Sequence, residues 1–175
     1  KSQICNEKVC LDISNKTIEL ELIVKKGGSA PVGLIPILGL KPLPGANAAE
    51  KPEVKWPVTP PPIELGVNAS RATKAVFKAA VPEHFHMYTL KPYKRGEGPA
   101  HTRITLTDNP YVTLDGAIEQ GPALKEMDTS WKVEVEFFDK EATFILPLKA
   151  KSGATLGEYE INVNFDYQIC TDKTV

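Results

Sequence analysis

Glu158-Tyr159-Glu160-Ile161-Asn162-Val163-Asn164-Phe165-Asp166-Tyr167-Gln168-Ile169-Cys170 is the stretch that decides the fold. Tyr159, Ile161, Val163, Phe165, Tyr167 and Ile169 alternate with Glu158, Glu160, Asn162, Asn164, Asp166 and Gln168. Successive side chains of an extended chain point to opposite faces, so this pattern predicts a long strand with one face buried and one wet. Continuing the alternation places Cys170 on the polar face, where the strand runs out.

Working outward, Thr17 to Val24 has the same period, with Ile18, Leu20, Leu22 and Val24 inward and Glu19 and Glu21 outward. Further strands are expected at Ala72 to Val81, Phe85 to Leu90 and Thr102 to Thr107. Lys132 to Phe138 and Ala142 to Leu148, on either side of Asp139-Lys140-Glu141, read as a hairpin. No amphipathic helix stands out; Ala117 to Met127 is the best candidate and is short. Short strands at this spacing predict an all-β, immunoglobulin-like antiparallel sandwich. Between Lys25 and Pro62 the residues turn to Gly, Pro and Ala, with no strand or helix period, which reads as a partly extended linker.

The 175 residues suffice for one domain with an extension or for two small ones. At 42% hydrophobic residues the chain can bury a core. A formal net charge of −1 gives it no basic surface for nucleic acid or anionic lipid. The longest apolar run, Val32 to Leu40, is broken by Pro36 and falls well short of the roughly 20 residues that span a bilayer. No charged-then-apolar leader opens the chain at Lys1, so either one has been removed or the sequence begins within a longer protein.

The three cysteines carry the chemistry. Four residues separate Cys5 from Cys10, too many for a CxxC pair, and no second pair completes a zinc site. A hairpin of that length can bring two cysteines within disulfide range. Closing so small a loop stabilises by only about 2 kcal/mol, which suits a switch better than a staple. Cys5 shares parity with Gln3, so Cys5 and Cys170 are both expected on accessible strand ends.

The two chain ends also resemble each other. Gln3-Ile4-Cys5-Asn6-Glu7-Lys8 matches Gln168-Ile169-Cys170-Thr171-Asp172-Lys173 at four of six positions. An internal repeat follows. Residues 1–26 are expected to be the tail of a preceding repeat, 27–52 a linker, and 53–175 a second sandwich lacking its final cysteine and strand.

Phe165-Asp166-Tyr167-Gln168-Ile169-Cys170 resembles the penultimate strand of the N-terminal domain of the DsbD family, and Gln3 to Val24 resembles the same motif carried through its second cysteine and closing strand. His84-Phe85-His86-Met87-Tyr88 is similar to the family's aromatic strand. Asp128 and Trp131 stand where the family carries an acidic-aromatic cap loop. The resemblance implies a periplasmic module, with no cofactor, that passes reducing equivalents from a thioredoxin-like donor to oxidised envelope proteins as part of a protein-disulfide reductase. It makes Cys10 the residue that forms the mixed disulfide and Cys5 its resolving partner, with Cys170 a resolving cysteine whose partner the chain lacks. Trp131 would shield the sulfurs, and Asp128 or Tyr88 would tune their ionisation.

Two other readings stand beside this one. The sandwich can be a non-catalytic interaction or spacer domain whose cysteines never turn over. His84 and His86, expected on one strand face with Met87 nearby, would give a soft-metal site for copper, though two histidines are few ligands. No catalytic triad, phosphate loop or carboxylate pair stands out, which leaves hydrolase and nucleotide chemistry without support.

Overall fold

A computed structural model describes residues 4–5, 8–27, 52–56, 61–94, 96–128 and 131–171, with the side chains of 4, 5, 8 and 9 outside the description. The described residues form β-strands and no helix. The fold is the expected all-β, immunoglobulin-like sandwich.

The two alternating stretches pair with each other. Strand β3 (Ser14–Lys26) runs antiparallel to β13 (Gly157–Tyr167), in register from Ser14↔Tyr167 to Val24↔Gly157. Opposed residues share a face, so Ile18, Leu20 and Leu22 meet Val163, Ile161 and Tyr159 on the inner side. β4 (Ile63–Val67) adds in parallel on the far side of β3, and β7 (Arg103–Leu106) antiparallel on the far side of β13.

A second sheet faces this one. Its centre is β12 (Glu141–Ala150), paired with β5 (Thr73–Ala80) on one side and with β8 (Val112–Leu114) and β9 (Glu119–Gln120) on the other. Phe144, Leu146, Leu148, Phe77 and Ala75 pack against Leu20, Leu22, Val163 and Phe165 to form the main core. Each large apolar side chain buried there stabilises by about 1.5–3 kcal/mol.

A third sheet joins β1 (Ile4–Cys5), β2 (Lys8–Cys10), β14 (Ile169–Thr171), β6 (His86–Tyr88), β11 (Val133–Phe138) and β10 (Leu124–Asp128), in that order. The chain crosses between it and the first sheet twice, from β2 to β3 and from β13 to β14. Gln168 ties the two steps together. Its Nε2 donates to Leu11 O at 3.0 Å, and its Oε1 accepts from Ala100 N at 3.3 Å.

Several expectations are corrected here. The repeat reading gives residues 1–26 to a preceding domain, yet β3 lies between β4 and β13 and its inner face is part of the main core. The closing strand thought absent from the sandwich is supplied by the chain's own N-terminal segment. Parallel strands need a crossover, and the Gly/Pro-rich stretch provides the one from β3 to β4. Its residues 28–51 lie outside the described residues, but its end is anchored. Val54 is buried, Lys55 bridges to Ala80, and the Trp56 ring lies 4.4 Å from that of Phe165.

The hairpin expected across Asp139-Lys140 is a corner instead, because β11 pairs with β10 and β6 while β12 belongs to the opposite sheet. Phe137 and Phe138, adjacent on β11, are both buried because the two faces of that strand meet different clusters. The short helix candidate at 117–127 is two strands, β9 and the start of β10, divided by Gly121-Pro122.

Candidate functional site

Cys10 and Cys170 form a disulfide across β2 and β14, with Cα atoms 4.0 Å apart and a separation of 160 residues in sequence. The adjacent backbone bond, Leu11 N to Ile169 O at 3.0 Å, makes Cys10↔Cys170 a non-hydrogen-bonded pair. That is the antiparallel position at which opposed side chains approach most closely.

The two cysteines differ in access. Cys170 is 0% exposed, whereas Cys10 is half-buried. Ile169 points into the main core, and Cys170, one residue on, belongs to a separate small cluster with Tyr88, Val135 and Phe137. Tyr93, Val133 and Cys10 pack around that cluster. Alternation alone places Cys170 away from the main core. The expected wet face is corrected, because aromatic rings cover it.

Cys10 is bonded to Cys170, so the Cys5–Cys10 bond expected from spacing is not present. Cys5 opposes Lys8 in the β1–β2 ladder, and its side chain lies outside the described residues. The partner thought to lie beyond the chain is Cys10. A bond closing so large a loop stabilises by about 5 kcal/mol on the chain-entropy account, so the argument from a weak staple no longer applies.

Of the residues expected to form the cap, Tyr88 is against the sulfurs. It is fully buried, opposes Phe137, and its carbonyl accepts from Thr102 Oγ1 at 2.5 Å. Asp128 and Trp131 sit at the turn between β10 and β11. Asp128 is buried, and its Oδ1 accepts from Trp131 N at 3.0 Å, closing the turn. The turn adjoins the cluster on the disulfide through Val133, which opposes Asp128 across β10 and β11 and packs against that cluster.

Tyr93 is the covering residue that sequence reasoning missed. It comes from the loop after β6, and its hydroxyl accepts from Glu136 N at 2.9 Å and donates to Glu134 O at 3.4 Å. Gly98 makes that placement possible. A Cβ on Gly98 would fall 2.6 Å from both Cβ and Cγ of Tyr93, which is impossible without moving the ring. The available signal was one tyrosine followed by Gly96 and Gly98 in the loop.

His86 flanks Cys170 on the side opposite Cys10, as its direct partner across β6 and β14. It is 8% exposed, with its ring 4.7 Å from that of Phe137. The metal reading required His84, His86 and Met87 to converge, and only the two histidines border a common cleft. His84 is exposed with φ 68° in the turn before β6, while Met87 faces the main core. Among the described residues no group of three or more His, Cys, Asp or Glu side chains could hold a metal ion.

Charge near the cluster is balanced. Glu136 pairs with Lys91 at 3.1 Å and Lys125 at 3.2 Å, and the hydrogen bond from Lys91 holds its carboxyl below the usual carboxylate range. Burial, with help from Arg103, lowers the imidazole of His101. A disulfide with one partly exposed and one enclosed sulfur-bearing residue is equipped for exchange, since a thiolate attacks one sulfur and expels the other.

Among the described residues no helix is long and apolar enough to cross a membrane. No curated protein and no solved structure matches the sequence. Residues 52–175 match the family described as "Thiol:disulfide interchange protein DsbD, N-terminal". The match spans well over half the chain and includes Tyr88, Tyr93 and Cys170, so the chain belongs to the DsbD N-terminal family.

Proposed function

We propose that the chain is a thiol–disulfide exchange module in which Cys10–Cys170 is the redox-active bond. The observation that carries this reading is the unequal burial of the two cysteines in a chain of this family. An incoming thiolate approaches Cys10 and forms the mixed disulfide there, while the bonding pair departs on Cys170. In the opposite direction Cys170 resolves the mixed disulfide. Thiol–disulfide partners follow from the family, and the specific ones proposed are a thioredoxin-like donor and oxidised envelope proteins in the periplasm. Asp128 and Trp131 are proposed to border the approach to the site, and Cys5 to act as a second acceptor for Cys10 once Cys170 is released.

A Cys170→Ser variant tests the assignment. In it Cys5 is also replaced by Ser, and Cys10 is charged as its mixed disulfide with thionitrobenzoate. A thioredoxin-fold protein keeping only its attacking cysteine displaces thionitrobenzoate and stays bonded to Cys10, and the matching Cys10→Ser variant should trap far less. Equal trapping by both variants, or by neither, contradicts it.

The spacer reading has one observation in its favour, namely that the bond joins segments 160 residues apart. The reduction potential separates the two. Structural disulfides fall below about −300 mV, and an exchange module should lie above that.

A further inference from the structure

We infer that His86 is the proton relay for the buried Cys170 thiol, carrying protons between that sulfur and solvent during exchange. The inference rests on the exchange reading and adds to it a route that the disulfide alone does not supply. Cys170 is 0% exposed, so water does not reach the group that must take up a proton when the bond breaks and lose it when the bond re-forms. Directly opposed residues on antiparallel strands have Cβ atoms about 4.5–5.5 Å apart. His86 and Cys170 are such a pair. On its other side His86 lines a cleft of about 460 Å³ together with Glu83, His84, Phe85, Asp139 and Lys140. One side chain therefore adjoins both the enclosed sulfur and a cleft open to solvent.

The groups facing His86 define its setting. Cys170 lies across β14 with Cys10 beyond it on β2, and Tyr88 is on the same strand, with ring centroids 6.2 Å apart. Phe137 of β11 stacks at 4.7 Å and is uncharged. Asp139 and Lys140 approach from the corner into β12, and Glu83 and His84 from the preceding turn.

The step balances with a dithiol reductant. The donor's thiolate bonds to Cys10 Sγ, the Cys10–Cys170 bond breaks, and its electron pair goes to Cys170 Sγ. Protonated His86 gives that sulfur a proton and regains one from the cleft. The donor's second thiol, deprotonated, then attacks its own sulfur in the mixed disulfide and releases Cys10. The dithiol is oxidised and the Cys10/Cys170 pair is reduced.

The test is the rate at which dithiothreitol reduces the folded chain, divided by thiolate concentration and followed from about pH 5 to about pH 9, bracketing the imidazole range. For the wild type this normalised rate should fall as pH rises through that range, because the acid form of His86 is consumed. His86→Phe retains a ring against Phe137. It should lose the inflection and be on the order of tenfold slower at the acid end, with His86→Gln as a second replacement. The chain has three histidines, so a His84→Ala/His101→Ala variant leaves His86 as the sole imidazole, and the inflection must survive in it. A flat wild-type profile, an inflection that persists without His86, or one that vanishes from the double variant overturns the relay. A wild-type bond that resists dithiothreitol while folded overturns the exchange reading as well.

Discussion

Gly98 governs access to the sulfurs although it touches neither. Its missing side chain lets the Tyr93 ring lie over the outer face of β11, where the hydroxyl bridges Glu134 and Glu136. Gly98→Ala should displace Tyr93 and raise the rate at which iodoacetamide labels Cys10 in the reduced chain. Tyr93→Ala should do the same by removing the ring, and an unchanged rate in both would exclude Tyr93 as a cover. His101 makes a prediction about acid. Its folded-state imidazole is lowered by burial and by Arg103, so the unfolded chain takes up the proton first. The contribution is full above the unfolded value near 6.5 and is lost as pH falls through the folded one. The melting temperature should therefore drop less in His101→Asn than in the wild type between about pH 7.5 and about pH 5. Very little of this could be read in the chain. A cysteine states its chemistry but not its partner, and Tyr93 and Gly98 look like any loop residues until the loop folds over β11.

At the scale of elements, periodicity identified β3 and β13 because each has a full hydrophobic face, and the two strands proved to be partners. Their pairing was not legible. Both carry the same alternation, which fixes the face but not the neighbour, and the likeness of the chain's two ends suggested copies rather than complements. The strands that escaped notice have weak patterns: β10 is mostly exposed, and β8 and β9 are short. The central place of β3 can be measured. Leu20 is fully buried in its middle, opposite Ile161, and Leu20→Ala should destabilise the chain by about 2–5 kcal/mol in urea unfolding. A loss below about 1 kcal/mol would mean that the segment is not part of the domain's core.

For the whole molecule the governing fact is that β2 and β14, drawn from opposite regions of the sequence, lie side by side and are covalently joined. Reduction should lower stability by up to about 5 kcal/mol, read as a lower urea midpoint with a steeper slope, because the unfolded chain without the cross-link is less compact. A midpoint indifferent to reduction would remove the staple and leave exchange alone to account for the bond. Under the proposed exchange the two roles pull against each other, since the bond that holds the N-terminal strands in place is the one that would be opened.

The adjacency of β2 and β14 also makes the order of the strands along the chain a matter of choice. The same sandwich can be threaded as a circular permutant, cut within the stretch between β3 and β4 and spliced from Val175 to Lys1. In that topology Cys170 and Cys10 would enclose a local ring of about 15 residues, and the bond's entropic contribution would shrink to about 3 kcal/mol. Every inter-strand contact would remain, so native and rethreaded proteins would share one architecture while differing in how much of it loosens when the bond is reduced.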